Sequence, residues 1–183
     1  MTEDEFWDHI RASGPGPANP YGQTDRLVAR LATLPPEQCL AFHHRWIDAS
    51  HRAYRRDLWD AATLINGGCS DDGFQYFRWW LILQGREVYR AALADPDTLA
   101  DVTGGRDDLE AEVGPGIDAW FQATGNTRDD AGWAAYDRAL AAYRATAAWL
   151  PATRPTLVRD PQEDEDEHVR FPRLAAMYLG EDD

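Results

Sequence analysis

Apolar residues recur along most of this chain at spacings of three and four, the period of a helix with one buried face. No run alternates convincingly as a strand would. Thr2-Glu3-Asp4-Glu5 has the order of a capping box, with Phe6 and Ile10 on one face of the helix it opens. The glycines and prolines from Ser13 to Gly22 make a loop. Leu27, Val28, Leu31 and Leu34 then mark a short helix that Pro35-Pro36 ends. A third helix is predicted from Pro36 to about Ile65, with Cys39, Trp46, Ser50, Ala53, Asp57, Ala61 and Leu64 near one line and a bend or break near Arg55-Arg56. Gly67-Gly68 stops it. A fourth is predicted from Asp71 to about Ala94, before Asp95-Pro96. Trp120 and Phe121 sit on a short helix ended by Gly125-Asn126. Trp133, Tyr136, Leu140, Tyr143 and Ala147 share one face of the next, which Pro151 and Pro155 close.

The pattern predicts an all-α fold: a single compact multi-helix domain over residues 1–158, then an acidic loop and a short docking segment over 159–183. The acidic run Asp160–His168 should be solvated and mobile. The fourth helix should be central and buried. Phe74, Phe77, Leu81, Val88 and Ala92 form its core stripe, while Tyr76, Trp79, Trp80 and Leu83 make the other side apolar too. Gly85 falls in the stripe, where a missing side chain would let another backbone approach. Arg78 falls there as well, and a buried guanidinium calls for a carboxylate partner, Asp57 or Asp71.

Charge narrows the partners. With 32 acids against 18 bases and a net charge of −14, the surface repels nucleic-acid backbones and anionic membranes and suits a basic protein or a cationic ligand. Every one of those bases is arginine, so Schiff-base and phosphate-loop lysines are excluded. Cys39 and Cys69 stand too far apart in the chain for a CxxC metal knuckle and fit a reduced compartment. The acidic amphipathic start lacks the features of a signal peptide, and no apolar run is long enough to span a bilayer. The expected location is the cytoplasm.

The candidate chemistry lies at the corner before the fourth helix. Ser70 is suited to the N-cap, and Asp71 and Asp72 to the first turn, where acids complement the helix dipole. Ser70-Asp71-Asp72 is more than a cap requires. With Arg78 and Trp79 behind, these residues make a candidate binding site for a cation, an amine or an arginine side chain. The alternative is a divalent-metal-dependent hydrolase in which Asp71 and Asp72 hold the metal, which needs further acids from Asp57, Asp60 or Glu87. A weaker metal candidate is His44, Asp48 and His51, on one helical face at i, i+4 and i+7. His43 lies nearer the apolar side and reads as a packed core histidine. The sequence identifies no cofactor and no catalytic residue.

The stretch "LWDAATLINGGCSDDGFQYFRWWLILQGREVYRAALADPDTLAD", Leu58 to Asp101, resembles the signature of a bacterial domain-of-unknown-function family, family 4240. The likeness extends to "EDEFWDHI" near the start and "RFPRL" near the end. Trp79 departs from it, standing where a smaller or more polar residue is expected. The resemblance implies a cytoplasmic bacterial domain and specifies no reaction.

Overall fold

A computed structural model describes residues 1–14, 20–146 and 156–180, and among them the fold is all-α. The helices are α1 (Glu3–Ala12), α2 (Pro20–Leu31), α3 (Pro36–Arg52), α4 (Arg56–Asn66), α5 (Asp71–Leu83), α6 (Arg86–Ala94), α7 (Ala100–Thr103), α8 (Pro115–Thr124), α9 (Asp130–Arg144), α10 (Glu167–Arg170) and α11 (Pro172–Tyr178). A 3-10 turn, Pro96–Leu99, joins α6 to α7. Ala147, Pro151 and Pro155, expected at the end of the Trp133 helix, lie outside the described residues. The chain gathers into two compact units, one of residues 1–49 and 113–153, the other of 50–112 and 154–183.

In the first unit α1 opens with the expected capping box: the Thr2 hydroxyl accepts from the Glu5 N–H while the Glu5 carboxylate accepts from the Thr2 N–H. Phe6 and Ile10 are buried as their spacing requires, and Phe6 meets Phe42 of α3 at 4.9 Å between ring centroids. Leu27 and Leu31 of α2 are fully buried, and α2 packs against α8. Trp120 and Phe121 of α8 meet Tyr136 of α9, the Trp120 ring edge-on at 5.3 Å. Cys39 is buried against the Leu31 carbonyl, and burial pushes its thiol up to about 11.

Both long helices expected from the sequence are divided, the first as anticipated and the second not. The long helix from Pro36 breaks where a break was anticipated: α3 ends at Arg52, and α4 restarts after Arg55, whose extended backbone bridges Val158. The helix expected over 71–94 is two helices. Gly85 has φ of +92°, which ends α5 and starts α6. Nothing lies near the place a Cβ would occupy there, so this glycine serves the backbone angle and not a close approach. The central placement survives in the shorter helix. Eight of the thirteen residues of α5 are buried, a larger share than in the other helices of the second unit, so α5 is its core element.

Most of the acidic run is exposed, as expected, but two of its acids are engaged in ion pairs. Asp160 is 11% exposed and accepts from Arg170, while Glu163 pairs with Arg159. The C-terminal segment is anchored by an acid from far away in the chain. The buried Asp97 carboxylate accepts from the N–H groups of Arg173 and Leu174 at 3.0 and 2.9 Å, satisfying the first turn of α11, whose Leu174 and Ala175 are buried. Asp97→Ala should therefore cost about 2 kcal/mol, because it orphans those donors and removes a favourable charge from a helix N-terminus. Urea denaturation would show it as a lowered midpoint, and limited proteolysis should cut first within α10 and α11.

Candidate functional site

The corner is built before any ligand is considered. Gly67 takes the left-handed conformation that ends α4, and the Gly68 N–H returns to the Thr63 carbonyl. The Trp59 indole donates to the Cys69 carbonyl at 2.9 Å and stacks on Phe74 at 4.8 Å, tying the corner to the first turn of α5. Ser70 is the N-cap, its hydroxyl accepting from the Gly73 N–H at 3.1 Å. Its role is therefore local: capping already engages this oxygen. Burial and the neighbouring Glu110 push the Cys69 thiol up to about 11, which keeps it a thiol at neutral pH.

Arg78 is buried as expected, but its partner is not an aspartate. Its Nη1 donates to the Ser50 carbonyl at 2.9 Å and to the Ser50 hydroxyl at 3.2 Å, and its Nε to the Phe74 carbonyl at 3.2 Å. The guanidinium also lies 4.9 Å from the centroids of both Tyr54 and Phe74. Carbonyl dipoles and two aromatic faces replace the expected carboxylate. Burial pulls the Arg78 pKa down, with Tyr54 and Cys69 opposing. Asp57 is occupied by Arg55, and Asp71 is exposed. Arg78 thus turns inward, with its donors engaged by Ser50 and Phe74.

What the fold gathers at the corner is acidic. The segment around Ala111 is tied to both helices of the corner, the Ala111 N–H donating to the Tyr76 carbonyl of α5 at 3.1 Å and the Leu109 N–H to the Asn66 side chain at the end of α4 at 3.2 Å. Leu109 and Ala111 are buried, which turns the alternate residues Glu110 and Glu112 the other way. Glu110 reaches the first turn of α5, where its Oε1 lies 2.9 Å from the position a Cβ would take on Gly73. A Cβ at Gly73 would need the flexible end of the Glu110 side chain to shift. The Tyr76 phenol is held above its usual pKa, first by desolvation, then by Glu112, by Asp72, by a hydrogen bond to Glu112 and by Glu110. Three carboxylates from two chain segments therefore lie near enough to one tyrosine to disfavour its ionisation. Trp79 follows a turn later, its ring 5.7 Å from Tyr76 and its indole Nε1 buried without a hydrogen-bond partner.

Of the residues singled out from sequence, Asp72 and Trp79 flank Tyr76, Asp71 is exposed beside them, Ser70 caps and Arg78 turns inward. Glu110 and Glu112 were missed. Their signal is the short alternation Leu109-Glu110-Ala111-Glu112-Val113. None of the acids proposed to join Asp72 does so: Asp57 serves Arg55, Asp60 pairs with Arg56 and Arg170, and Glu87 is exposed on α6. Among the described residues no group of three or more His, Cys, Asp or Glu side chains is arranged to hold a metal ion, His44, Asp48 and His51 included. His44 is buried with its ring toward Tyr143, and burial drives the neighbouring His43 down to about 4. No described helix is long and apolar enough to cross a membrane.

No curated protein and no solved structure matches the chain. A family model described as "Protein of unknown function (DUF4240)" matches residues 1–122, which include the corner, all of α5 and both glutamates beside it. The chain belongs to that family.

Proposed function

We propose that this protein is a cytoplasmic binding module whose acidic edge at the start of α5 takes a cationic partner, an arginine-bearing segment of a basic protein. The observation that carries the reading is the acidic group at the start of α5, with Asp72 in the first turn, Glu110 against Gly73 and Glu112 two residues on, and with none of the three in an ion pair among the described residues. Like charges drawn together repel one another, and a bound cation relieves that repulsion. The half-buried aromatic pair Tyr76 and Trp79 adds faces on which a guanidinium stacks. The metal-hydrolase alternative has no observation in its favour, since the additional acids do not form a ligand set.

Titration calorimetry with a nona-arginine peptide tests this. Asp72→Asn and Glu112→Gln should each weaken binding by about fivefold, as removal of one partly exposed charge contact does. Asp137→Asn, on the exposed face of α9, should leave binding unchanged. Asp72→Asn should alter fold stability by less than about 1 kcal/mol, since dipole effects at exposed positions are small. Equal affinity for all the variants would rule the edge out.

A further inference from the structure

The second unit contains a cleft of about 520 Å³ lined by none of Asp72, Tyr76, Trp79, Glu110 and Glu112. That volume is within the roughly 300–1,000 Å³ of small-molecule sites. One wall is a single face of α4, which presents Arg56, Asp60 and Leu64 at every fourth position. The lining from the C-terminal segment includes Glu167, Arg170 and Leu179.

The charges of this cleft divide into a closed set and an open set. Arg170, its side chain 5% exposed, is held between Asp60 at 2.7 Å and Asp160 at 2.5 Å. Those contacts fix it as a strut. Arg56 is different. Only its Nε reaches Asp60, at 2.9 Å, and that carboxylate is already shared with Arg170. The two terminal nitrogens of Arg56 have no partner among the described residues, and the side chain is 45% exposed. The Glu167 carboxylate is likewise in no ion pair among the described residues. The cleft therefore offers a forked cationic donor, an unpaired carboxylate and the apolar side chains of Leu64 and Leu179.

We infer that this cleft is a binding site for a small aliphatic zwitterion, an α-amino acid or a short peptide. Its carboxylate lies on the Arg56 fork, its ammonium group on Glu167 and its aliphatic part against Leu64 and Leu179. A planar guanidinium with both terminal nitrogens unengaged matches a carboxylate in bidentate fashion. A purely anionic ligand would be opposed by Asp60, Glu163 and Glu167, and a purely cationic one would leave Arg56 unused.

The test is calorimetric titration of the full chain with L-leucine and with L-leucyl-L-leucine, beside 4-methylpentanoate and isopentylamine, which each keep one charge. At least one zwitterion should bind at millimolar concentration, and the single-charge analogues should bind about tenfold more weakly or not at all. Binding of leucine alone assigns a free amino acid, and binding of the dipeptide alone assigns peptide termini. Arg56→Gln and Glu167→Gln should each reduce affinity about tenfold. Both positions are on the surface, and thermal melts should confirm that the variants stay folded. Asp72→Asn should bind leucine normally, so failure here is independent of the acidic edge. Absence of binding by both zwitterions, equal binding by either single-charge analogue, or unchanged affinity in both folded variants would overturn the proposal.

Discussion

Arg78→Ala should lower the unfolding free energy by about 3 kcal/mol, because it empties a buried site and removes three hydrogen bonds together. The loss has two sources. The Ser50 carbonyl and hydroxyl are left facing a cavity, and Tyr54 and Phe74 lose the plane that lies against both. No carboxylate is left behind, since Arg78 makes no ion pair among the described residues. Arg78→Met, which keeps most of the volume and discards the buried charge, should accordingly cost clearly less than alanine. Had an aspartate been the partner, both substitutions would strand a negative charge and cost alike. Urea denaturation of the two variants therefore separates the observed arrangement from the one expected from sequence.

Gly116→Ala should be comparably damaging, at about 3 kcal/mol, although it adds a single methyl group. A Cβ there would lie 2.6 Å from the His43 Cβ and 2.8 Å from both the Cα and the backbone N of His43. None of these atoms belongs to a flexible side-chain end, so relief requires moving α3 against α8. Burial keeps His43 neutral at pH 7, so the packing there carries no imidazolium. Chemical denaturation measures the loss. A cost under about 1 kcal/mol would show that the two helices slide apart easily.

These two positions also show how much of the fold was legible beforehand. Residue types at helix ends mark the capping box at Thr2 and the stop at Gly67, and helical periodicity reports which sides of α5 are buried. Periodicity does not report what lies opposite those sides. Arg78 was recognised as buried, but its contacts come from Ser50, Tyr54 and Phe74, and carbonyl oxygens leave no mark in a sequence. Glycine was ambiguous for a related reason. Gly85 and Gly116 are indistinguishable as letters, yet one supplies a positive φ and the other a close backbone approach. The clamp by Asp97 on α11 joins residues more than seventy positions apart, which no local pattern encodes.

The candidate site was half legible. Asp72 stood out because capping explains Ser70 while leaving a second aspartate without a task. The glutamates near it were concealed by their setting, a connection too short and irregular to read as a helix or a strand. Its pairing to α5 rests on the single bond from the Ala111 N–H to the Tyr76 carbonyl.

The most direct test of the acidic edge is a map of amide chemical-shift changes on adding nona-arginine. The account predicts the largest changes at Asp72, Tyr76, Trp79, Glu110 and Glu112, diminished in Asp72→Asn, with little change across α9. Changes spread evenly over the acidic surface, or concentrated away from the start of α5 and unaltered in Asp72→Asn, would contradict it.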